Sequence, residues 1–187
     1  MLFSDFLPRD VLPKPKRLAL LDTLLVDFEK AFPDLRFELR LDRRVVNAQA
    51  ILLDGKRCVL IYGGIALHPG LAHDSLTFVV LHEAGHHLAR GARLPFNPSL
   101  ACECVSDHWA AGDGAEILYR KTGRQFQISK AVIELENLLS TEQQFESAHP
   151  EKHISNCWNR KWLQRRNALE NLHARSPSQL CELMGSK

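Results

Sequence analysis

The sequence predicts an α+β fold, in which one helix and a small antiparallel sheet are followed by a mostly helical remainder. The spacing of apolar residues changes from a helical to an alternating pattern after Pro33, which indicates that a strand follows a helix. Asp54-Gly55 lies between two apolar runs and is typical of a tight β-hairpin turn. Residues 74–90 are apolar on nearly every side of a helix, so we expect this segment in the middle of the domain.

The predicted elements cover the chain as one domain of residues 1–187. They are, in order, an extended proline-rich leader (1–16), a helix (17–32), a half-buried strand (35–41), two hairpin strands (48–53 and 56–62), the buried helix (74–90) and three helices (about 99–122, 129–144 and 150–174). The buried helix is expected to begin at an Asp74 or Ser75 cap and to end before Gly91, which suits the left-handed position after a helix. Residues 145–187 are expected to form a basic helix and tail.

Composition narrows the class of protein. With 45% hydrophobic and 25% charged residues the chain is typical of globular proteins, and a net charge of +2 does not by itself indicate nucleic-acid binding. Residues 1–16 have no signal-peptide core, and the longest apolar run, residues 58–67, is shorter than the ~20 residues that a membrane helix needs. The odd count of five cysteines has no disulfide-framework spacing. We therefore expect a cytoplasmic protein with no membrane partner.

His82, Glu83 and His86 form an HExxH motif inside the predicted buried helix. Residues four apart lie on one helical face, so both imidazoles can bind a single metal ion. Glu83 lies about 100° further around the helix, where it can reach a metal-bound water without ligating the ion. Zinc lowers the pKa of such a water to about 7, so Glu83 could act as the general base of a hydrolysis.

A hydrolytic zinc site needs a third protein ligand and an open fourth position. Glu103 is the candidate ligand, and it lies in a segment in which Asp107 follows four residues later on the same helical face. Asp107 is expected to accept a hydrogen bond from the far nitrogen of a ligating histidine, which would fix the tautomer of that ring. The sequence therefore predicts a zinc site built from two helices.

These motifs resemble a known family. LHEAGHHLA at 81–89, followed by ExxxDxxAA at 103–111, is similar to the gluzincin-type zinc metallopeptidases, particularly their compact ImmA/IrrE-like and minigluzincin-like members. The resemblance implies a zincin-like fold, with Glu83 as general base. It also implies that the strand ending at Tyr62 is a sheet edge, where a substrate peptide would add as a further strand beside Gly63-Gly64. Finally, it implies regulatory cleavage of an intracellular protein substrate, such as a transcriptional repressor in stress or phage defence.

Two further roles near the zinc are predicted less directly. The developing oxyanion needs a donor besides zinc, and the candidates are Tyr119, His149 and His153. Cys102 and Cys104 flank Glu103, so a thiolate could occupy the fourth zinc position as a latch that oxidation or partner binding releases. The alternative for both cysteines is simple burial as small apolar residues.

The last predicted helix carries the excess positive charge. Residues 151–175 contain six basic and two acidic residues together with two tryptophans. Such a segment can bind single-stranded nucleic acid, here as an activator, and the candidate contacts are Arg160, Lys161, Arg165 and Arg166. The alternative is an amphipathic helix that packs its tryptophans inward and leaves a solvated basic face.

The predicted activity is zinc-dependent endoproteolysis, and two other classes remain open. A deformylase-like hydrolase would use HExxH with a cysteine ligand, for which Cys58 is the upstream candidate, although RCVLI lacks the cysteine motif of that family. A regulatory module with a structural zinc would bind nucleic acid through the basic helix. Glu83 argues against the module, because a structural site has no use for a base.

Overall fold

The computed structural model of the protein describes residues 12–146 and 162–170. The helices are α1 (Pro15–Ala31), α2 (Gly63–Ala66), α3 (His73–Leu88), α4 (Glu103–Ala111), α5 (Asp113–Thr122), α6 (Ile128–Glu146) and α7 (Trp162–Glu170). The strands are β1 (Arg36–Arg40), β2 (Ala48–Leu53), β3 (Lys56–Tyr62), β4 (Arg93–Leu94) and β5 (Asn97–Ala101). The α+β class predicted from the sequence is confirmed. Within these ranges, no helix is both long and apolar enough to cross a membrane.

The main sheet is mixed, with the strand order β1-β3-β2. β2 and β3 pair antiparallel, whereas β1 pairs parallel to β3, so the prediction of an antiparallel sheet is wrong for β1. β3 is the central strand, so the predicted sheet edge at Tyr62 is also wrong, and the edge strand that contacts α3 is β2 instead. The hairpin prediction is confirmed, since Asp54 and Gly55 have φ values of 51° and 73°.

The pattern of prolines and glycines explains where the helices differ from their predicted bounds. Pro15 is the first residue of α1, a position that proline tolerates, so the extended leader ends earlier than predicted. α3 begins after Ala72 without a side-chain cap bond, so the predicted Asp74 or Ser75 cap is wrong. The single helix predicted over 99–122 is also wrong, because Pro98 lies in β5 and Gly112 separates α4 from α5.

Gly63 and Gly64 form the short helix α2, which the sequence did not predict. A Cβ atom on Gly63 would lie 2.5 Å from the carbonyl oxygen of Leu41, and one on Gly64 would lie 2.2 Å from that of Val45. These glycines therefore allow the chain's own segment 41–45 to approach α2 closely. The expectation that they make room for a substrate backbone is corrected accordingly.

α3 lies at the centre of the packing. Its residues from Ser75 to His87 are all buried, and it contacts the sheet, β5, α4, α5 and α6. The apolar core formed with it includes Phe28 of α1, Val59 of β3 and Leu118 of α5. A helix enclosed in this way holds its polar side chains in fixed positions, because core side chains have little freedom to move.

A group of polar residues away from the middle of α3, which we call the peripheral cluster, ties α3 to α1 and to the segment after α5. It consists of Asp27, His73, Asp74 and Arg124. Arg124 pairs with Asp27 and donates a hydrogen bond of 2.7 Å to Nε2 of His73, while Nδ1 of His73 lies 3.2 Å from Asp74. Each ring nitrogen of His73 thus has a partner of its own.

Candidate metal centre

His82 and His86 lie one turn apart on α3, and both are buried, with 0% and 4% of their surface exposed. Their Nε2 atoms are 3.1 Å apart. Each Nδ1 atom faces an acceptor instead. Nδ1 of His82 lies 2.8 Å from Oδ1 of Asp107, and Nδ1 of His86 lies 2.6 Å from the carbonyl oxygen of Ala101.

These contacts fix the hydrogen-bonding roles of the rings. A carboxylate and a carbonyl only accept hydrogen bonds, so each Nδ1 atom carries the proton that it donates. The two Nε2 atoms then face each other with their lone pairs, and a cation between them is needed to relieve the repulsion. In the metal-free protein, a proton on one Nε2 atom would remove this repulsion. A metal ion would bind the lone pairs of both rings at once.

Glu103 supplies the third donor. It is the first residue of α4, two residues after Ala101, so β5 positions both a hydrogen-bond acceptor for His86 and this carboxylate. Its Oε2 atom lies 3.2 Å from Nε2 of His82, and its Oε1 atom lies 3.5 Å from Nε2 of His86. Oε2 is buried, and its two nearest charged neighbours among the described residues, Nε2 of His82 and Nη1 of Arg165, each lie 3.2 Å away as ion-pair partners. It is an acceptor that points into the space between the two imidazoles.

Gly85, within the HExxH motif, explains how α4 comes so near to α3. A Cβ atom at this position would lie 3.0 Å from the carbonyl oxygen of Ser106 and 3.2 Å from the ring of Trp109. Glycine therefore permits the close helix contact that brings Glu103 and Asp107 to the histidines.

The charges around His82 shift the pKa values of the group. Burial lowers the pKa of His82, but the carboxylates of Asp107 and Glu103 outweigh it and raise this pKa to about 9. Burial also lowers the pKa of His86, as does the charge of His82. For Asp107, burial raises the pKa, but Arg165 and His82 together lower it to about 2. The metal-free site therefore retains a proton on His82 at neutral pH and keeps Asp107 ionised.

The donor atoms of His82, His86 and Glu103 lie within 4.8 Å of one another. Two imidazole nitrogens and one carboxylate oxygen are the donor set of many zinc sites that keep an open position. The ring orientations and the nearby carboxylate of Glu103 both suit a bound cation. The prediction that these residues form one group able to hold a metal ion is confirmed. The identity of the metal is proposed below.

Glu83 lies beside this group without belonging to it. It is 1% exposed, and its Oε1 atom is 4.0 Å from Nε2 of His82. The backbone N–H of Ala50 donates a hydrogen bond of 2.9 Å to its other oxygen, Oε2. Because Ala50 is in β2, this bond joins the edge of the sheet to the helix that carries the histidines.

Arg165 is the member of the site that sequence reasoning placed elsewhere. It is 8% exposed, and its Nε and Nη2 atoms donate to the two oxygens of Asp107 at 2.6 and 2.7 Å. Its Nη1 atom lies 3.2 Å from Oε2 of Glu103. Arg165 therefore does not lie on the exposed basic face that the sequence predicted. Because the residues next to Arg165 in sequence are neutral or basic, nothing in the local sequence indicates that its partners lie in α4.

Arg166 is the other predicted nucleic-acid contact among the described residues. Arg166 forms ion pairs with Glu136 at 3.4 Å and Glu170 at 2.9 Å. Arg160 and Lys161 lie outside the described residues. Nucleic-acid binding by Arg166 stays a prediction.

Tyr119 is the one candidate oxyanion donor among the described residues. Tyr119 is about half exposed and lines a cavity with Asp74, Arg124 and Lys130, a set that contains none of the three metal-binding candidates. His149 and His153 lie outside the described residues. The donor for the oxyanion stays a prediction.

The cysteines beside Glu103 differ from each other. Cys102 is disulfide-bonded, which its spacing does not predict, and a disulfide sulfur is not a thiolate. A latch at Cys102 would need the reduced thiol, and it stays a prediction. Cys104 is a half-buried thiol, and its role as a latch stays a prediction. Cys58, the ligand of the deformylase-like alternative, is not in the metal-binding group, and its carbonyl oxygen lies 3.1 Å from Nε2 of His87.

No family model matches the chain, and no curated protein or solved structure matches it either. The class that the geometry defines is therefore an α+β protein with a His₂Glu group able to hold a metal ion.

Proposed function

We propose that the protein is a zinc-dependent endopeptidase. The observation that carries the proposal is the orientation of the two imidazoles, whose Nδ1 atoms are held by Asp107 and Ala101 while their Nε2 atoms converge with Glu103. Two nitrogens and one oxygen suit zinc better than calcium or magnesium, which prefer oxygen ligands. Zinc bound there would polarise a carbonyl and bring the pKa of a bound water to about 7.

Glu83 is the proposed general base. It lies one residue after His82 and is held through Oε2 by the backbone of β2, which leaves Oε1 directed towards the metal-binding group. Glu83 would take the proton of the attacking water and then deliver it to the leaving amine of the cleaved peptide bond. This step needs a carboxylate, so the corresponding amide cannot perform it.

The proposed substrate is an extended peptide that adds to the edge strand β2. The N–H of Ala50 points away from β3, and by strand alternation the backbone groups of Ala48 and Leu52 point to the same side. An added strand would therefore lie next to Glu83. We further propose that the substrate is an intracellular protein, such as a transcriptional repressor, as the resemblance to ImmA/IrrE-like proteins implies.

The test compares zinc-loaded wild type with Glu83→Gln and with the control Glu134→Gln, whose carboxylate bonds Ser75 and Ala72 away from the site. Cleavage of an unfolded protein and of a peptide library is followed by mass spectrometry, and zinc content is measured in each protein. We expect one zinc per chain in all three and cleavage by all except Glu83→Gln. Cleavage by Glu83→Gln, or undiminished cleavage by zinc-free wild type, would refute the mechanism.

A further inference from the structure

Arg165 connects the C-terminal helix α7 to the candidate metal centre. Its guanidinium donates a hydrogen bond to each oxygen of Asp107, and Asp107 in turn accepts the Nδ1 proton of His82. It also approaches Oε2 of Glu103, the same oxygen that faces Nε2 of His82. A bidentate arginine has little freedom to rotate, so this contact fixes the plane of the Asp107 carboxylate.

The charges at the site show what Arg165 contributes. The carboxylates of Glu83, Glu103 and Asp107 carry three negative charges when ionised, and all three lie within 4.0 Å of a nitrogen of His82. Zinc and Arg165 together would carry three positive charges. The loaded site is then neutral, whereas without Arg165 it would keep an uncompensated negative charge in a buried position, which is unfavourable.

Arg165 and the zinc would also share partners. Arg165 pairs with Glu103, which would also be a ligand of the zinc. Arg165 also donates hydrogen bonds to Asp107, and Asp107 accepts the Nδ1 proton of His82, which would be another ligand of the zinc. Two cations that share the same carboxylates weaken each other's binding to them. In the metal-free protein the charge of Arg165 is stabilising, because it offsets the repulsion between the carboxylates of Glu103 and Asp107.

We propose that Arg165 is a positioning residue that serves as the second cation of the metal centre. It holds Glu103 and Asp107 in place before the metal arrives, and it lowers the affinity of the completed site for zinc. The inference rests on the proposal that His82, His86 and Glu103 bind zinc. It makes α7 part of the metal centre, in contrast to a separate basic surface for nucleic acid.

A merely structural tether would behave differently. If Arg165 only attached α7 to α4, its loss would loosen Glu103 and reduce the affinity for zinc. If Arg165 acts as a second cation, its loss removes a repulsion and raises that affinity, although the metal-free protein becomes less stable. The sign of the change in zinc affinity separates the two roles.

The experiment measures zinc affinity by competition with a chelator, together with the thermal midpoint of the metal-free protein. The variants are Arg165→Met, which removes the charge, and Arg165→Lys, which keeps the charge without the fork. The control is Arg124→Met, which removes the arginine of the peripheral cluster. We expect Arg165→Met to bind zinc on the order of tenfold more tightly than wild type, because the repulsion between the two cations is removed. Arg165→Lys and Arg124→Met should stay within about threefold of wild type.

Weaker or unchanged zinc binding by Arg165→Met would overturn the inference while leaving the proposed function intact. Absence of zinc binding by wild type would instead refute the proposed function. Should Arg165→Met fold only when zinc is present, the coupling between the two cations is demonstrated directly. Should it fold in neither state, Arg165→Lys decides, because zinc binding about tenfold weaker than wild type would show that geometry, not charge, is the role of Arg165.

Discussion

The candidate metal centre and the peripheral cluster both contain histidine, aspartate and arginine, but the hydrogen-bonding partners of their histidines differ. Each joins a histidine of α3 to an aspartate and to an arginine from a later element. In the peripheral cluster, His73 has Asp74 on one ring nitrogen and Arg124 on the other. In the metal centre, His82 has Asp107 on Nδ1, but its Nε2 faces a second imidazole and the carboxylate of Glu103.

The two clusters differ in the feature that separates a binding site from a structural polar cluster. The presence of histidine and carboxylate does not decide, because both clusters have them. What decides is whether each lone pair of the cluster faces a hydrogen-bond donor among the described residues. The peripheral cluster is complete by itself, and the metal centre becomes complete only with a cation. Variants that treat the two clusters alike therefore test the account.

The largest expected effect comes from removing one histidine of each cluster. His82→Ala should lower zinc affinity by more than about 100-fold, because it removes a ligand and not only a supporting contact. His73→Ala should leave zinc affinity unchanged and affect only stability, since its bonds lie within the peripheral cluster. Chelator competition on both variants measures the contrast, and equal zinc affinities would contradict it.

The second effect concerns the aspartates. Asp107→Asn should weaken zinc binding by about 10–100-fold, because it removes the charge that supports His82 and leaves Arg165 without its carboxylate. Asp74→Asn is the matched change in the peripheral cluster, where it should alter zinc affinity by less than about twofold. Isothermal titration of both variants with zinc checks this prediction. Similar losses in the two variants would mean that Asp107 has no special relation to the metal.

The third effect is on the pH dependence of zinc binding. The pKa of His82 is raised to about 9 in the metal-free protein, so at lower pH zinc must displace a proton from this ring. The apparent affinity should therefore rise about tenfold between pH 7 and pH 8 and less steeply towards pH 9, and binding at pH 7 should release about one proton. Titrations in buffers of different ionisation enthalpy measure that proton. Affinity independent of pH in this range would show that His82 is not a ligand.

The smallest expected effect comes from the glycine between the histidines. Gly85→Ala should reduce the free energy of unfolding by about 1–3 kcal/mol, because the new Cβ presses on the backbone of Ser106. Gly70→Ala is the control, since its Cβ would meet only the side chain of His68. Chemical denaturation of both variants provides the comparison. A loss of stability in Gly70→Ala as large as in Gly85→Ala would argue against a special helix contact at Gly85.

The parts of the fold that the sequence predicts well are those in which local signals agree. The hairpin strands 48–53 and 56–62 match the structure, because Asp54-Gly55 specifies the turn and alternation specifies the strands. The parallel pairing of β1 with β3 could not be predicted in this way. It depends on contacts distant in sequence, and no local pattern distinguishes parallel from antiparallel pairing for a strand of five residues.

In the candidate site, too, the residues that could be predicted are those with a local sequence signal. His82, His86 and Glu103 could be predicted because helical spacing places ligands on one face and the motif is specific. Arg165 could not, since it reaches Asp107 from 58 residues further along the chain. The support of Glu83 by Ala50 was missed for the same reason, because it depends on a backbone group, which every residue has.

Anomalous diffraction at the zinc edge, from crystals of the zinc-loaded protein, would locate the metal directly. We expect one strong peak within bonding distance of Nε2 of His82, Nε2 of His86 and a carboxylate oxygen of Glu103, with Nδ1 of His82 still bonded to Asp107. A loaded crystal with no peak at these residues, or with zinc bound to other side chains, would contradict the account.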